Sequence, residues 1–138
     1  MPTTAQEFRD LAVMHADDAK LLLDSGRFSN AYHLGGYSIE CALKAVLCRQ
    51  FAAESLPDKG LVQAAYTHNL TELASLAGLA KALKQSKENE NFSVNWSIVS
   101  SWSEASRYQP ASEPEALDLI CAIDGDDGIL EWIKSHWQ

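Results

Sequence analysis

Hydrophobic residues recur at spacings of three and four near the N-terminus, which predicts an amphipathic helix. Thr3 or Thr4 can cap its start, and Glu7 lies three residues after Thr4, as in a capping box. Gly26 follows Ser25 and predicts the end of the helix, because glycine favours the conformation found there. The hydrophobic positions are Phe8, Leu11, Ala12, Ala16, Ala19, Leu22 and Leu23.

A second, longer helix is predicted from about Arg27 to between Phe51 and Ala53, and it has two different faces. With about 100° of rotation per residue, a narrow polar stripe is centred on His33 and a broad hydrophobic arc lies opposite. The wide arc predicts that at least two other helices pack on it. The stripe contains Asn30, His33, Tyr37, Glu40 and Lys44, and the arc contains Ala31, Leu34, Ile39, Cys41, Ala42, Leu43, Ala45 and Val46.

Gly35 and Gly36 lie in the middle of this helix, although glycine is a poor helix former. A residue without a side chain allows another part of the protein to approach the helix backbone. We therefore expect a neighbouring helix or a ligand to lie close to these two positions.

The middle of the chain predicts shorter elements. A loop is expected from Ser55 to about Thr67, after which Thr67 or Asn69 caps a short third helix. Gly78 interrupts or ends that helix, and the stretch from Ala80 to Lys87 adds a turn or two. The polar run from Gln85 to Asn91 is expected to be a loop or a frayed helix end.

The C-terminal part predicts a fourth helix from Val94 to Tyr108, because hydrophobic residues recur every three or four positions within it. Pro110 cannot continue a helix interior. Ser112 then starts another helix, with Glu115 completing a capping box. The expected hydrophobic stripes are Val94, Ile98, Trp102 and Ala105 for the fourth helix, and Leu117, Ile120 and Cys121 for the next.

The acidic run around Gly125 is awkward for a helix, so we expect a kink or break there, followed by a helical stretch from Ile129 to Trp137. No segment shows sustained alternation of hydrophobic and polar residues, so a β-sheet is not expected. The sequence thus predicts an all-α fold: one domain, residues 1–138, forming an up-and-down helical bundle of four to five helices.

The composition is consistent with this fold class and indicates where in the cell the protein is expected. Hydrophobic residues form 46% of the 138 residues, enough for a core without a disulfide or structural metal. No stretch approaches the roughly 20 apolar residues of a membrane span, and the polar N-terminus is unlike a signal peptide. We expect a cytoplasmic protein without membrane association.

The formal net charge of −8 argues against non-specific nucleic-acid binding, which depends on Lys and Arg, although a local basic patch remains compatible with it. The three cysteines, Cys41, Cys48 and Cys121, form no C-x-x-C pair, and buried free thiols are the expected state. The acidic run near Gly125 lacks the ligand spacing of a calcium loop. No metal and no cofactor are expected.

The sequence GYSIECALKA at residues 36–45 carries a G-Y-x-x-E-C-x-L-K-A pattern. Two later pieces accompany it: THNL at residues 67–70 followed by Leu73, and Trp102 followed by Arg107 and Tyr108. Together they resemble the signature of HEPN-domain proteins over roughly Phe8 to Tyr108.

The resemblance implies a helical bundle that is often a homodimer. It also implies functions seen across such families: association with nucleotides or RNA, metal-independent RNA cleavage, and pairing with a small nucleotidyltransferase in toxin–antitoxin or defence modules. Cleaving members carry an R-x(4–6)-H motif near a late helix. Here no histidine occurs between Arg107 and Glu115. Arg27 and His33 do have the spacing of this motif, but they lie at the start of the second helix rather than near a late helix.

The polar stripe of the second helix has two interpretations. It is either a solvated face, with Glu40 and Lys44 as an ordinary i,i+4 pair, or a partly buried groove in which Glu40 pairs with Arg107. The candidate ligand-binding groove then comprises Asn30, His33, Tyr37, Glu40, Lys44, His68, Arg107 and Tyr108.

Three functions stay open at this point. The first is a binding module for a partner protein, such as a nucleotidyltransferase, or for a nucleotide or RNA, in a toxin–antitoxin, stress or defence setting. The second is a dimeric, metal-independent ribonuclease that uses Arg107 with His68 or His33. The third is a purely structural dimerisation protein.

Overall fold

A computed structural model describes residues 2–51, 56 and 58–137 of the chain. These residues contain helices and no β-strand, which confirms the predicted all-α bundle, although helical segments outnumber the four to five expected. The α-helices are α1 (Ala5–Asp24), α2 (Phe28–Leu47), α3 (Lys59–Ala64), α4 (Leu70–Leu76), α5 (Ala80–Ser86), α6 (Glu90–Ser100), α7 (Glu113–Asp124) and α8 (Ile129–Lys134). Short 3₁₀ helices cover Cys48–Gln50 and Glu104–Tyr108.

The first helix begins and ends as its sequence predicts. The Thr4 side chain accepts a hydrogen bond from the Glu7 amide, and Gly26 takes a positive φ of 77° just beyond the helix. The residues that α1 buries are small: Ala12, Ala16 and Ala19. Small side chains let two helices approach closely, and α1 packs along the length of α2.

The centre of the bundle is α2, which contacts α1, α4, α7, α8 and the 3₁₀ helix Glu104–Tyr108. The predicted close approach at its glycines is confirmed, and it comes from the protein itself. A Cβ on Gly35 would meet Leu119 and Ile123 of α7 at 3.3–3.4 Å. A Cβ on Gly36 would lie only 2.2 Å from the Trp102 ring, so Gly36 gives that indole its place against the helix.

The prediction of one helix from Val94 to Tyr108 is wrong. Asn89 caps α6, which ends at Ser100. The chain then passes through buried Trp102 and extended Ser103 into the 3₁₀ helix. The predicted hydrophobic stripe is partly wrong: Trp102 is buried, but Val94 is exposed, and the residues that α6 itself buries are Phe92, Asn95, Trp96 and Val99. The packing of Trp102 on Gly36 redirects the chain where the local sequence alone would have continued the helix.

Two predicted loops contain helical residues. The loop predicted from Ser55 to Thr67 includes α3, although Ser55 itself lies outside the described residues. The polar run 85–91 includes the end of α5 and the start of α6. The second helix is shorter than predicted, because α2 ends at Leu47 and a 3₁₀ helix follows; Ala53 lies outside the described residues.

The last two helices confirm the predicted break. The capping box of Ser112 and Glu115 starts α7, which ends at Asp124, and α8 begins at Ile129. The predicted hydrophobic side of α7 is partly wrong, since Leu117 and Cys121 are exposed. The residues that α7 buries are Ala116, Leu119, Ile120, Ala122 and Ile123.

Candidate functional site

The side chain of Glu40 lies in the middle of α2 and is only 2% exposed. Its carboxylate accepts a hydrogen bond from Lys44 Nζ at 3.2 Å, one helical turn away. His68 Nδ1 lies 3.0 and 3.1 Å from the two carboxylate oxygens, so this nitrogen carries the proton of the bond. A buried carboxylate needs such partners because removing its charge from water is unfavourable. The interpretation of the stripe as a solvated face is therefore wrong at Glu40.

His68 connects the buried Glu40 carboxylate to charged side chains nearer the surface. It precedes α4, whose N-terminus is capped by the Asn69 side chain. His68 Nε2 lies 3.4 Å from Glu104 Oε2, and Glu104 Oε1 accepts a hydrogen bond from Arg107 Nη2 at 3.1 Å.

The result is a connected series of hydrogen bonds and ion pairs, here named the polar chain: Lys44, Glu40, His68, Glu104 and Arg107. The prediction of a direct Glu40–Arg107 pair is wrong. The two residues are linked through His68 and Glu104 instead. Burial decreases along the polar chain from Glu40 outward, since the side chains of His68, Glu104 and Arg107 are 45%, 39% and 46% exposed.

His33 and Tyr37 lie beside the polar chain in an aromatic group with Trp102 and His15. The His33 ring stacks nearly parallel to Tyr37, with 6.4 Å between centroids, and lies 5.9 Å from Trp102. His33 Nδ1 is 3.0 Å from Ser106 Oγ, which holds the 3₁₀ helix against α2. Burial lowers the pKa of His33, and the charge of Arg107 lowers it further. His33 is therefore a neutral packing and anchoring residue near pH 7.

A cavity of about 380 Å³ lies between α1, α2 and α3. Its polar lining includes Thr3, Tyr37, Glu40, Lys44 and His68, and therefore the inner part of the polar chain. The rest of its wall is mainly hydrophobic: Phe8, Cys41, Leu47, Cys48, Phe51, Val62, Ala65 and Tyr66. A concave hydrophobic space with a few grouped polar side chains is the usual form of a small-molecule site.

The two cavity cysteines are poor nucleophiles. Burial raises the pKa of Cys41 to about 12, and it raises the pKa of Cys48 as well. The thiolate is the reactive form of cysteine, so these side chains act as hydrophobic wall rather than as reactive groups. In the described part of the chain, no group of three or more His, Cys, Asp or Glu is placed to hold a metal ion.

Four of the eight predicted site residues do not line the cavity: His33 and Arg107, described above, and Asn30 and Tyr108. Asn30 is exposed ten residues before Glu40, about 15 Å along the helix axis, beside Arg27 and Ser29. Tyr108 is also exposed, and the Arg107 guanidinium lies 5.6 Å from its ring centroid. The eight predicted residues thus do not form one groove.

Sequence reasoning missed several residues of the site: Glu104, Ser106 and the cavity wall residues Phe51, Val62 and Tyr66. Glu104 carried a signal, because it lies three residues before Arg107 and such spacing favours ion pairs.

The family model of the HEPN domain matches residues 5–136. The chain belongs to the HEPN-domain family. The HEPN match confirms the family that the sequence resembled, and it covers nearly the whole chain. HEPN domains of toxin or defence type are often ribonucleases or binding modules.

Comparison with curated proteins and with solved structures found no match. Among the described helices of this HEPN domain, none has the length and hydrophobicity needed to cross a membrane.

Proposed function

We propose that this HEPN domain is a binding module for a nucleotide or for the end of an RNA strand. The observation that supports this function is the cavity of about 380 Å³ with the polar chain at its edge. Sites for small ligands typically have volumes of about 300–1,000 Å³. The hydrophobic and aromatic walls suit a planar base, which stacks favourably on aromatic side chains.

The polar groups suit the remaining parts of such a ligand. Glu40 lines the cavity and would accept a hydrogen bond from a base N–H. Lys44 beside it carries positive charge, and the Arg107 guanidinium lies farther out along the polar chain. The net charge of −8 repels a long polyanion, because nucleic-acid affinity grows with the number of neutralised phosphates. The proposed ligand is therefore short, with one or a few phosphates.

Thermal unfolding with added AMP, ATP, GTP and a short RNA tests this function. A ligand at 100 times its Kd stabilises the folded state by about 2.7 kcal/mol, so Tm should rise by several degrees. Ala65→Phe places a ring in the cavity and should abolish the shift. Gln63→Phe is the matched control, because Gln63 lies in α3 two residues before Ala65, is exposed and does not line the cavity. If none of these ligands raises the Tm of the wild-type protein, the proposal fails.

Metal-independent ribonuclease activity is the second candidate, and the contact between Glu40 and His68 favours it. A carboxylate bonded to one ring nitrogen orients a histidine so that the other nitrogen can exchange protons with a substrate. Arg107 would stabilise charge on the reacting phosphate. His68 suits this role better than His33, which is bonded to Ser106 and has a lowered pKa.

Cleavage of RNA in the presence of EDTA tests the ribonuclease. Activity should be lost in Arg107→Ala and in His68→Asn, and it should persist in His33→Asn. Absence of cleavage at high concentrations of the wild-type protein would eliminate this candidate.

Family membership supports a toxin–antitoxin or defence setting, with a homodimer and a small nucleotidyltransferase partner as the proposed assembly. Light scattering gives the number of protomers in solution. Co-expression with the product of a neighbouring nucleotidyltransferase gene should yield a complex that survives purification. A dimer that binds neither nucleotide, RNA nor this partner would instead support a purely structural role.

A further inference from the structure

The Glu104 carboxylate lies between two nitrogen-bearing side chains, His68 and Arg107, that come from different parts of the chain. One oxygen lies 3.4 Å from His68 Nε2, and the other accepts a hydrogen bond from Arg107 Nη2 at 3.1 Å. Proteins also hold phosphate groups with N–H donors of this kind, placed on different oxygens. Glu104 thus occupies the position between His68 and Arg107 that an anion from outside would occupy.

The 3₁₀ helix does not depend on Glu104 for its position. Ser106 contacts His33 of α2, and just beyond the 3₁₀ helix the Ala111 amide donates a hydrogen bond to Ser29 Oγ at 2.9 Å. Trp102 is buried against Gly36 on the other side. The backbone is therefore held at several points without Glu104, whose side chain is 39% exposed.

The pairs that Glu104 makes are weak enough to exchange. Exposed ion pairs contribute little because water screens them and because ordering two long side chains is unfavourable. A phosphate monoester has up to two negative charges and three terminal oxygens, whereas a carboxylate has one charge and two oxygens. Phosphate should therefore displace the carboxylate from His68 and Arg107.

We propose that His68 and Arg107 form a binding site for a terminal phosphate, and that Glu104 fills this site in the free protein. The proposal rests on the proposed function, since the phosphate would belong to the nucleotide or RNA end in the adjacent cavity. Lys44 and Glu40 complete the charges around His68, with Glu40 holding its other nitrogen. Glu104 acts as an internal competitor that lowers affinity for phosphate-bearing ligands.

Calorimetric titration with AMP and with adenosine separates the phosphate from the rest of the ligand. Glu104→Gln removes the competing charge and keeps the side-chain size, so it should tighten AMP binding about three- to tenfold. Adenosine binding should not change. Glu104→Ala should have the same effect, and Arg107→Gln should remove the preference for AMP over adenosine.

Glu131→Gln is the matched control. Glu131 also forms an exposed i,i+3 pair, with Lys134 at 3.2 Å, and its substitution removes the same charge from α8. This variant should bind AMP like the wild-type protein. If it tightens binding as much as Glu104→Gln does, net charge explains the effect and the proposal is overturned.

Two other results contradict the proposal in different ways. In the first, the wild-type protein binds AMP and the Glu104→Gln variant binds it no more tightly. This result would show that Glu104 is not an internal competitor, and it would leave the proposed function intact. Equal tightening of AMP and adenosine shows that Glu104 only obstructs the cavity entrance, which also overturns it. If neither protein binds AMP or adenosine, and RNA ends are not bound either, the proposed function and this inference fail together.

Discussion

Replacing Glu40 by glutamine tests whether a buried charge holds the bundle together at the site. The substitution keeps the shape of the side chain and removes its charge. The Glu40 carboxylate makes bonds to Lys44 Nζ at 3.2 Å and to His68 Nδ1 at 3.0 Å. Hydrogen bonds to charged groups contribute about 1.5–3 kcal/mol each, whereas neutral ones contribute about 0.5–1.5 kcal/mol.

Loss of charge assistance in two bonds therefore removes roughly 2–3 kcal/mol of stability. The lower end is expected, because the His68 side chain is 45% exposed and gains water as a partner. For a domain of this size, a loss of about 2 kcal/mol lowers Tm by roughly 6–8 °C. Urea unfolding followed by circular dichroism at pH 7 measures the change directly, and the m-value should stay constant.

Glu131→Gln serves as the control here too, since Glu131 forms an exposed i,i+3 pair with Lys134. Its stability should change by less than about 0.5 kcal/mol. A double-mutant cycle of Glu40→Gln with Lys44→Met should give a coupling energy of about 1 kcal/mol. A loss for Glu40→Gln no larger than that of the control would refute the conclusion that a buried carboxylate is stabilised by its two partners.

Three further predictions follow from packing and titration. Gly36→Ala should destabilise the protein by about 1–3 kcal/mol in the same urea assay, because the new Cβ would meet the Trp102 indole at 2.2 Å. Gly35→Ala should be nearly neutral, because its new Cβ would lie 3.3 Å from the nearest neighbour. Equal effects of the two substitutions would contradict the packing described. Burial lowers the pKa of His15 in the folded chain, so the unfolded chain binds that proton more tightly. The free energy of unfolding should therefore reach its full value above the ordinary histidine pKa of about 6.5 and decrease below it. In His15→Asn this decrease at low pH should be smaller. Native protein at pH 8 should react with a thiol reagent at exposed Cys121 long before it reacts at the cavity cysteines Cys41 and Cys48, because burial raises the pKa of both. Rapid labelling of Cys121→Ser would contradict this order.

Local patterns predicted much of the fold because they reflect local physics. The caps at Thr4 and Ser112 are hydrogen bonds between residues three apart, so the sequence contains all that is needed to find them. The hydrophobic arc of α2 is equally local, since one face of a long helix must be buried. The break after Asp124 followed from the glycines and acidic residues that succeed it.

What failed to be predicted depends on contacts between distant residues. The wheel placed Glu40 on a polar stripe, but it could not show that the chain before α4 covers that part of the stripe with His68. The end of α6 at Ser100 depends on a pocket for Trp102 that α2 supplies through Gly36. Glu104 was not predicted as a site residue, because the pattern predicts one helix through Tyr108 and gives no sign of the 3₁₀ helix that carries Glu104.

In and around the 3₁₀ helix Glu104–Tyr108, the residues that attach this segment to the bundle are different from the residues that carry charge. Its attachment to the bundle uses Trp102, Ser106 and Ala111, while its ionic side chains, Glu104 and Arg107, point to the surface and contribute little to the core. Substitutions at the two ionic positions can therefore change the preferred ligand charge without a penalty in folding. Among related sequences, we expect this stretch to diverge at those positions first, so that one scaffold can serve different ligands.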